Sequence, residues 1–591
     1  MAAAQEIEPR HTVRAASLFG VLVLAKALAL SGRDLPFSGW APFAFLWQDV
    51  LSAAAFLALD VFLTNSALAW LVYGIAVSYV AINVPVSTVL GTPLTWTMIR
   101  AVGGPLSDSI RHYVTAFNVG CVVLVLAAGI LLPVLLARRW PFRLPQSLFG
   151  VALLTVVAGV TAESRIETRG LHRNAFGALA ASTVARVRFS GALTERSEFN
   201  TGPSPDPVET LEQLRGTAKG RNVILIVLES TAARYLGLYG AARDPTPRLT
   251  ELGRQSALVF ESAYAVYPES IKGLFATICS RYPAFNTPAE VHARTPCVSL
   301  ASKLGDAGYR SALFHSGRFK YLGMAPMIAD RGFELLEDAG AIGGNTQSSF
   351  GVDEPATVQR MLGWIDSLEK DERFFLMYLP VAGHHPYAVQ DEGPFEGTSE
   401  FDRYLNSLHD GDAALGTFLE GLRARQLDER TLFVVQGDHG EAFGQHPENF
   451  AHSLFIYDEN IRVPFVIAAP GLLPGQVRVK RVASAIDTAP TVLDLLGQTI
   501  APDYQGASLL EPEARPAFFF TDYSLGWLGL RDSCWKYLYE VDSGRSKLFD
   551  VCSDPDETRD LSGNFEARVR AYRDRVQTWA AAQAAAIGRG R

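Results

Sequence analysis

The sequence predicts an α-helical transmembrane region followed by an α/β domain with a doubly wound sheet. The chain has 591 residues, of which 48% are hydrophobic and 19% charged, and its long apolar runs lie before about residue 162. From about residue 163 onward the composition is that of a globular protein rich in Asp, Glu, Arg and Gly. In this second part, short apolar strands alternate with helical stretches, which is the pattern of a doubly wound sheet.

Five membrane spans are predicted in the N-terminal part. A helix needs roughly 17 to 25 apolar residues to cross about 30 Å of hydrocarbon. Runs of that kind, bounded by Pro, Gly or charged residues, are approximately 15–30, 41–63, 67–90, 113–137 and 144–162. The first run lacks an Ala-x-Ala cleavage site, so we expect a retained anchor and not a removed signal peptide.

Positive charges around the spans predict their orientation. Arg10 and Arg14 precede the first span, and Arg138, Arg139 and Arg143 lie between the fourth and fifth. The positive-inside rule places both groups in the cytoplasm. With five spans, the remainder of the chain is expected on the periplasmic side of the cytoplasmic membrane.

Three ionisable residues fall inside the predicted spans: Lys26, Asp49 and Asp60. Such groups are costly in hydrocarbon unless they face water or a partner. We expect them to pair between helices or to reach the interface from span ends.

The cysteines are compatible with an oxidising compartment. Cys121 lies in a span, whereas Cys279, Cys297, Cys534 and Cys552 form two couples that are local in sequence. Disulfides 279–297 and 534–552 are the simplest pairing. Four free buried thiols remain the alternative, because sequence alone does not fix connectivity.

The net charge of −8, with no block of Lys or Arg in the soluble part, argues against nucleic-acid binding. A Pro/Gly/Ser-rich cluster at 200–207 marks a boundary between a juxtamembrane segment and the globular domain. No internal repeat is evident.

The globular part opens with a continuous apolar run, 222–228, as expected for a strand buried on both faces of a sheet. Four further runs predict strands at 310–315, 374–379, 431–436 and 463–468. Helical stretches are predicted at 247–256, 355–369 and 404–425.

Polar residues follow several of these strands: Glu229, His315, His384, Asp438 and His439. Ligands of α/β sheets collect beyond the carboxyl ends of strands. Asp438-His439-Gly-Glu is the strongest signal, because two metal-binding side chains and a Gly directly after an apolar strand form a compact turn. Glu229 adds a second carboxylate from a sister strand.

These motifs together resemble the sulfatase-type catalytic domain of the alkaline phosphatase superfamily. The matching segments are 222–231, Thr246-Pro-Arg-Leu-Thr-Glu-Leu, 260–266, Cys279-Ser-Arg-Tyr-Pro, Gly437-Asp-His-Gly-Glu and Ile461-Arg-Val-Pro-Phe. The tail, with Trp535-Lys-Tyr and 547–561, is similar to the small C-terminal subdomain of those enzymes. With spans in front, the architecture resembles the lipoteichoic acid synthase, phosphoglycerol transferase and phosphoethanolamine transferase branch.

The resemblance implies four parts: a transmembrane domain (1–162), a juxtamembrane segment and linker (163–221), a catalytic core (222–515) and a C-terminal subdomain with the tail (516–591). It also implies a divalent cation, Mn, Zn, Mg or Ca, held by Glu229, Ser270, Asp438 and His439. Ser270 is then the catalytic nucleophile. His384 and His452 match positions that hold the phosphate or protonate the leaving group, and Lys272, His315 and Arg318 are weaker anion-binding candidates.

The segment around Ser270 departs from the sulfatase pattern. Sulfatases carry Cys/Ser-x-Pro-x-Arg, which is oxidised to formylglycine, whereas this chain has Lys272 for Pro and Leu274 for Arg. Leu228-Glu229 is also similar to the lipoteichoic acid synthases, since sulfatases usually have paired Asp there. Both differences favour an unmodified hydroxyl, whose pKa a bound cation lowers.

We therefore expect a membrane-anchored enzyme that cleaves or transfers a phospho-headgroup, of the phosphoglycerol or phosphoethanolamine type, at the outer face of the cytoplasmic membrane. The expected partners are the lipid bilayer and a phospholipid or a phosphorylated or sulfated glycan. Two alternatives remain: a membrane-anchored sulfatase, and a non-catalytic sulfatase-like module of the envelope.

Overall fold

The fold of the chain was examined in a computed structural model. The structure describes residues 9–33, 35, 38–101, 107–139, 146–183, 211–287, 289–348, 350–389 and 393–588. The N-terminal helices are α1 (Pro9–Leu30), α2 (Ala41–Phe62), α3 (Ser66–Leu90), α4 (Trp96–Ala101), α5 (Ser107–His112), α6 (Ala116–Arg139), α7 (Gln146–Arg165) and α8 (Ala175–Ala181). The linker cluster at 200–207 and Arg143 lie outside the described residues.

Four of the helices in the described part are long and apolar enough to cross a membrane: α1, α2, α3 and α6. The predicted fifth span corresponds to α7, whose apolar stretch, Gly150–Glu163, is shorter than the other four. The helix nevertheless packs along α2. Its Gly159 sits so close to Trp47 that an added Cβ would lie 2.2 Å from the Trp47 Cβ.

The ionisable residues of the spans pair between helices, which is one of the two arrangements expected for Lys26 and Asp60. Lys26 Nζ lies 3.4 Å from Asp49 Oδ2. Asp60 is bound by Arg14 Nη2 at 2.9 Å and by His11 Nδ1 at 2.8 Å. Arg14 is therefore a buried residue of α1 and not a charge that flanks the span.

The globular part is built on a nine-stranded mixed sheet. Its strands are β1 (Asn222–Leu228), β2 (Ala257–Tyr264), β3 (Tyr309–His315), β4 (Leu335–Glu337), β5 (Arg373–Leu379), β6 (Thr431–Gly437), β9 (Arg462–Val463), β10 (Phe465–Ala468) and β11 (Val477–Ser484). The order is β11-β2-β10-β6-β1-β5-β3-β4, with β9 beside β2. A separate small hairpin consists of β7 (Ala442–Phe443) and β8 (Phe450–Ala451).

The doubly wound prediction is confirmed with one difference, because β10 runs antiparallel to both β6 and β2. Pro464 separates β9 from β10 within the single strand predicted at 463–468. The central strand β1 is parallel to β5 and β6, and its Val and Ile side chains are buried on both faces.

Helices cover both faces of the sheet, and an apolar cluster lies on each. These helices are α9 (Pro247–Gln255), α10 (Ser270–Cys279), α11 (Leu300–Asp306), α12 (Met324–Ile328), α13 (Ala339–Ile342), α14 (Glu354–Asp366), α15 (Glu400–Ala424), α16 (Asp458–Ile461) and α17 (Thr488–Leu495). Side-chain caps fix two of the starts: Asp353 accepts from the Ala356 N–H, and Ser399 accepts from the Asp402 N–H.

A four-stranded antiparallel sheet forms the C-terminal subdomain, followed by a long helix. The strands are β12 (Ala517–Thr521), β13 (Trp527–Asp532), β14 (Trp535–Glu540) and β15 (Ser546–Asp550), and the helix is α18 (Glu566–Gly588). The predicted disulfides Cys279–Cys297 and Cys534–Cys552 are both formed in the structure, and Cys121 is a free buried thiol.

Polar contacts join the membrane part to the globular part. Arg173 Nη1 donates to the carbonyl oxygen of Ser524 at 2.6 Å, and Lys547 Nζ donates to Glu167 Oε1 at 2.6 Å. Arg33 forms an ion pair with Glu448. These contacts hold the C-terminal subdomain and the β7–β8 hairpin against the segments that follow the membrane helices.

Candidate active site

The ends of two neighbouring parallel strands bring the central acidic residues together. Glu229 follows β1 and Asp438 follows β6, and the Asp438 N–H donates to the Leu228 carbonyl oxygen at 3.1 Å. The turn continues into Gly440, whose N–H donates to the Asn460 carbonyl oxygen at 2.7 Å. A Cβ at Gly440 would lie 2.2 Å from the Glu459 carbonyl oxygen, so a side chain there would push the turn away.

Glu229, Asp438 and His439 are buried and could hold a metal ion, since one ligand atom from each lies within 4.8 Å of the others. His439 Nε2 is the common neighbour, 3.5 Å from Glu229 Oε1 and 3.4 Å from Asp438 Oδ2. His439 Nδ1 donates to the Gly440 carbonyl oxygen at 2.9 Å, which leaves Nε2 as the ligand atom. Two carboxylates and an imidazole suit Mn²⁺ or Zn²⁺ and, through their oxygens, Mg²⁺ or Ca²⁺.

The electrostatics of this cluster also fit a cation. Burial and the neighbouring Glu229 carboxylate raise the pKa of Asp438 to about 8. Burial opposes a charged imidazole at His439, but Asp438 and Glu229 outweigh it and raise the His439 pKa to about 10. Without a cation, protons on Asp438 and His439 offset the charge of the paired carboxylates; a divalent ion would take over this role.

Ser270 is the first residue of α10, and its hydroxyl points at the acidic cluster. Ser270 Oγ lies 3.1 and 3.0 Å from the two carboxylate oxygens of Glu229 and 3.4 Å from His439 Nε2. Helix α10 packs closely against the turn after β6. The closeness is visible at Gly273, where an added Cβ would lie 3.2 Å from the Asp438 carbonyl oxygen. The four predicted metal ligands are thus together in space.

Lys272 occupies a different environment from the predicted one. Its ammonium group is 3% exposed and donates to Asp522 Oδ1 at 2.7 Å, and it lies 4.1 Å from the ring centroid of Tyr267. A carboxylate of the protein therefore already neutralises the charge that was expected to bind an anion. Leu274 is buried in the core.

The two histidines predicted to contact substrate lie close to the cluster. The ring of His452 is 4.3 Å from that of His439, and its Nδ1 is 2.7 Å from Glu441 Oε2. His384 stacks on Phe350 with centroids 3.9 Å apart, and its Nδ1 donates to the His385 carbonyl oxygen at 2.6 Å. Burial lowers the pKa of His384, and the neighbouring His452 lowers it further.

The weaker candidates lie further along the same edge of the sheet. His315 is buried at the end of β3, and its Nδ1 donates to the Leu379 carbonyl oxygen at 2.9 Å, while its Nε2 has no hydrogen-bond partner in the described structure. Burial lowers the pKa of His315. Arg318 is half-buried beside α13. A Cβ added at Gly340 of this helix would lie 3.5 Å from Arg318 Nη1.

The structure adds residues to the site that the sequence analysis had not assigned a role. Glu441 is the main one: it binds His452 and accepts a hydrogen bond of 2.9 Å from the Tyr387 hydroxyl. Glu269 is half-buried directly before Ser270, and desolvation raises its pKa. Glu441 belongs to the Asp438-His439-Gly-Glu motif, but only the fold reveals that His452 is its partner.

A cavity of about 210 Å³ opens beside His384. Its walls include Phe350, Glu354, Ser407 and Asp410, so polar and apolar side chains both line it. The four predicted metal ligands do not line this cavity, and His384 is the predicted site residue that does.

Comparison with known proteins identifies the globular part. Residues 221–498 match the family model described as Sulfatase, and residues 448–573 match the one described as N-sulphoglucosamine sulphohydrolase, C-terminal. The lipoteichoic acid synthase-like protein YvgJ of Bacillus subtilis (strain 168) is 26% identical over 334 residues, covering 51% of this chain and 51% of that protein. Arylsulfatase K of Mus musculus is 25% identical over 238 residues, covering 36% and 42% respectively.

Solved structures agree on the fold. The lipoteichoic acid synthase LtaP from Listeria monocytogenes matches with a TM-score of 0.50 and 18% identity, covering 64% of this chain and 97% of that one. The structure of Ps i-CgsB gives a TM-score of 0.51 with 19% identity, covering 61% and 92%. The chain spans about half the length of the curated relatives it matches.

Proposed function

We propose that this protein is a metal-dependent enzyme that transfers or hydrolyses a phospho-headgroup. The proposal starts from the match of residues 221–498 to the sulfatase family model and from the apolar helices that precede these residues. The enzyme's substrate is a phospholipid, and the reaction takes place at the outer face of the cytoplasmic membrane. The observation that carries the proposal is the Ser270 hydroxyl, 3.0 Å from Glu229 in a segment without the Pro and Arg of the sulfatase maturation motif.

Ser270 Oγ attacks phosphorus in the first half-reaction. The Oγ–P bond forms, the bond from phosphorus to the diacylglycerol oxygen breaks, and the headgroup phosphate stays on the serine. Glu229 accepts the hydrogen bond of the hydroxyl, so it orients Oγ, takes up the hydroxyl proton during the attack and returns it when Oγ leaves in the second half-reaction. A divalent cation held by Glu229, Asp438, His439 and Ser270 would lower the pKa of the hydroxyl and offset the charge on the phosphoryl oxygens.

A histidine donates the proton that the leaving alcohol oxygen needs. We assign this role to His452, because Glu441 fixes its ring through Nδ1 and leaves Nε2 as the atom that exchanges protons. His384 binds the phosphate. In the second half-reaction an acceptor hydroxyl or water loses its proton to His452 and attacks phosphorus, and Ser270 Oγ leaves.

The orientation and the number of spans belong to the same proposal. Helix α7 packs along α2 through the Gly159 and Trp47 contact, so we assign it as a fifth span despite its shorter apolar stretch. This count places the catalytic domain outside the cytoplasm, where both disulfides are stable.

A labelled-lipid assay tests the proposal. Purified full-length protein is incubated with phospholipid carrying a labelled headgroup and with Mn²⁺, and the lipid product is identified. Diacylglycerol is the expected product, together with headgroup phosphate on an acceptor or in solution. If no phospholipid headgroup class gave a lipid product, the proposed function would be contradicted.

Sulfatase activity is the second candidate, because residues 448–573 match a sulphohydrolase C-terminal family. The two candidates differ in the chemical state of residue 270. Mass spectrometry of the 266–281 segment is expected to find intact serine, whereas formylglycine there would favour sulfate-ester hydrolysis.

A further inference from the structure

A second group of metal-binding side chains lies apart from the active site, where the membrane part meets the catalytic domain. It consists of His112, His385 and Glu400, and one ligand atom from each lies within 4.8 Å of the others. His112 ends α5, which precedes the membrane helix α6, whereas His385 follows β5 and Glu400 begins α15. The three residues come from three separate elements on both sides of the junction.

We propose that His112, His385 and Glu400 bind a divalent transition metal of the zinc type, which ties the membrane part to the catalytic domain. Two imidazole nitrogens and one carboxylate oxygen are a donor set of zinc sites, with water in the fourth position. The site shares no ligand with the Glu229, Asp438 and His439 cluster, and the argument for it does not depend on the reaction proposed above.

The distances are compatible with a metal after a small adjustment. Ligand atoms of tetrahedral zinc, with bonds of about 2.1 Å, lie roughly 3.4 Å apart. His112 Nε2 already lies 3.4 Å from Glu400 Oε1. Both of these side chains are about 40% exposed, at 39% and 42%, so rotation about their side-chain bonds can bring them closer to His385.

The environment of His385 favours the neutral form that a metal requires. Its ring stacks on Tyr113 with centroids 5.5 Å apart and planes at 11°, and the ring of His112 lies at 5.3 Å. Burial, with the neighbouring His384 and His112, lowers the pKa of His385 to about 4. A neutral imidazole is therefore present at neutral pH.

One positive group competes for the carboxylate. Arg403 Nη2 lies 3.8 Å from Glu400 Oε1. The same guanidinium donates through Nη1 to the Thr398 carbonyl oxygen at 3.0 Å, which is a second partner for it besides Glu400. Glu400 has a second oxygen for the metal.

The site lies next to a residue of the proposed reaction. His384 Nδ1 donates to the carbonyl oxygen of His385 itself. A metal on His385 would therefore hold the backbone that orients His384. The membrane part and the substrate-binding histidine would be joined through one residue.

Metal counting on the full-length protein tests the site. The protein is purified in detergent, stripped with chelator and titrated with ZnCl₂ alone, and bound zinc is counted after removal of the free ion. The wild type is expected to bind two equivalents of zinc. In His112→Gln and in Glu400→Gln, one of these two equivalents is expected to bind at least about tenfold more weakly and so to be lost. Glu420→Gln is the matched control, an exposed glutamate of the same helix.

A fourth variant separates this proposal from the catalytic one. Asp438→Asn removes a ligand of the active-site cluster and is expected to keep the equivalent that His112→Gln loses. Titration with CoCl₂ gives an independent spectrum, whose visible bands should weaken in His112→Gln. Equal zinc stoichiometry in the wild type, His112→Gln and Glu400→Gln would overturn the proposal, even if the active-site metal were absent. Because His112 and Glu400 are exposed, these replacements disturb no core.

Discussion

Ser270 Oγ lies within hydrogen-bond distance of both carboxylate oxygens of Glu229, at 3.1 and 3.0 Å. The two residues are 41 positions apart in sequence, and the fold joins them because α10 begins beside the carboxyl end of β1. A serine bound to a carboxylate at the N-terminus of a helix is held in one orientation, with the positive end of the helix dipole beside it. The nucleophile role proposed for Ser270 rests on this contact.

Replacing Ser270 by Ala is expected to reduce headgroup release by at least about 10³-fold, because it removes the hydroxyl proposed as the nucleophile. The three protein ligands Glu229, Asp438 and His439 stay, so metal content should change little. Ser270→Thr should retain part of the activity, since it keeps the hydroxyl, and Ser270→Cys should retain less with a hard metal and a phosphorus electrophile.

Trapping identifies the intermediate directly. Protein mixed with labelled phospholipid and quenched in acid is expected to carry a phosphoryl-type adduct on the peptide that contains Ser270. An adduct on another residue, or undiminished activity of Ser270→Ala, would show that a different group is the nucleophile.

Loss of any one protein ligand should lower metal content and activity together. Glu229→Ala, Asp438→Ala and His439→Ala each leave a site with one ligand fewer, and we expect at least about tenfold weaker metal binding. Chelation of the wild type should abolish activity, and added Mn²⁺ or Zn²⁺ should restore it. Full activity in any one variant would refute the assignment of that ligand.

Much of the catalytic fold is predictable from local sequence. The run 222–228 is continuous and β-branched, and it forms β1 within the same bounds. The strand runs before His315, His384 and Asp438 likewise correspond to β3, β5 and β6. Because parallel strands end at one edge, the meeting of Glu229 with Asp438 and His439 follows from the pattern.

The remainder depends on contacts that no local pattern encodes. β11 (Val477–Ser484) carries charges along its edge and did not resemble an apolar strand, and β10 runs antiparallel within the sheet. Lys272 was expected to bind an anion, yet its partner Asp522 lies 250 positions away in the C-terminal subdomain. The contact between His112 and Glu400 requires the docking of two parts of the chain.

The Cys279–Cys297 and Cys534–Cys552 bonds should each stabilise the globular part. Both close segments with a separation of 18 residues, for which chain entropy gives about 3 kcal/mol. The double variant Cys534→Ser/Cys552→Ser is expected to lower the thermal midpoint in the absence of reductant. Non-reducing peptide mapping of protein from its native membrane should recover both pairs. Four alkylatable thiols would contradict the pairing and the extracytoplasmic placement.

A buried charge cluster should make stability depend on pH. Lys536 Nζ lies 2.7 Å from Asp458 Oδ1 and 2.8 Å from Glu557 Oε1. Burial, with Asp458 and Glu459 nearby, raises the pKa of Glu557 in spite of Lys536. A carboxyl with a raised pKa binds more protons in the folded than in the unfolded state, so its contribution to stability falls as pH rises above its ordinary value.

Glu557→Gln should remove that part of the pH dependence. Between pH 5 and pH 8, the thermal midpoint of the variant is expected to fall less than that of the wild type. Glu513→Gln, at an exposed position, serves as the control and should follow the wild type. An identical fall in Glu557→Gln and wild type would show that Glu557 does not titrate in this window.

Glu441 positions His452, and its loss should reduce kcat more than it raises KM. The carboxylate is 2% exposed, binds His452 Nδ1 at 2.7 Å and accepts from the Tyr387 hydroxyl at 2.9 Å. Glu441→Gln replaces the charged acceptor by a neutral amide, so we expect kcat to fall about 10- to 100-fold, the range for lost outer partners of site histidines. Tyr387→Phe removes only the second hydrogen bond and should lower kcat less than Glu441→Gln.

Steady-state kinetics on labelled phospholipid, with circular dichroism to compare the folds, checks both variants. If Glu441→Gln kept the wild-type kcat, His452 would not need this carboxylate, and its role as the proton donor would have to pass to His384.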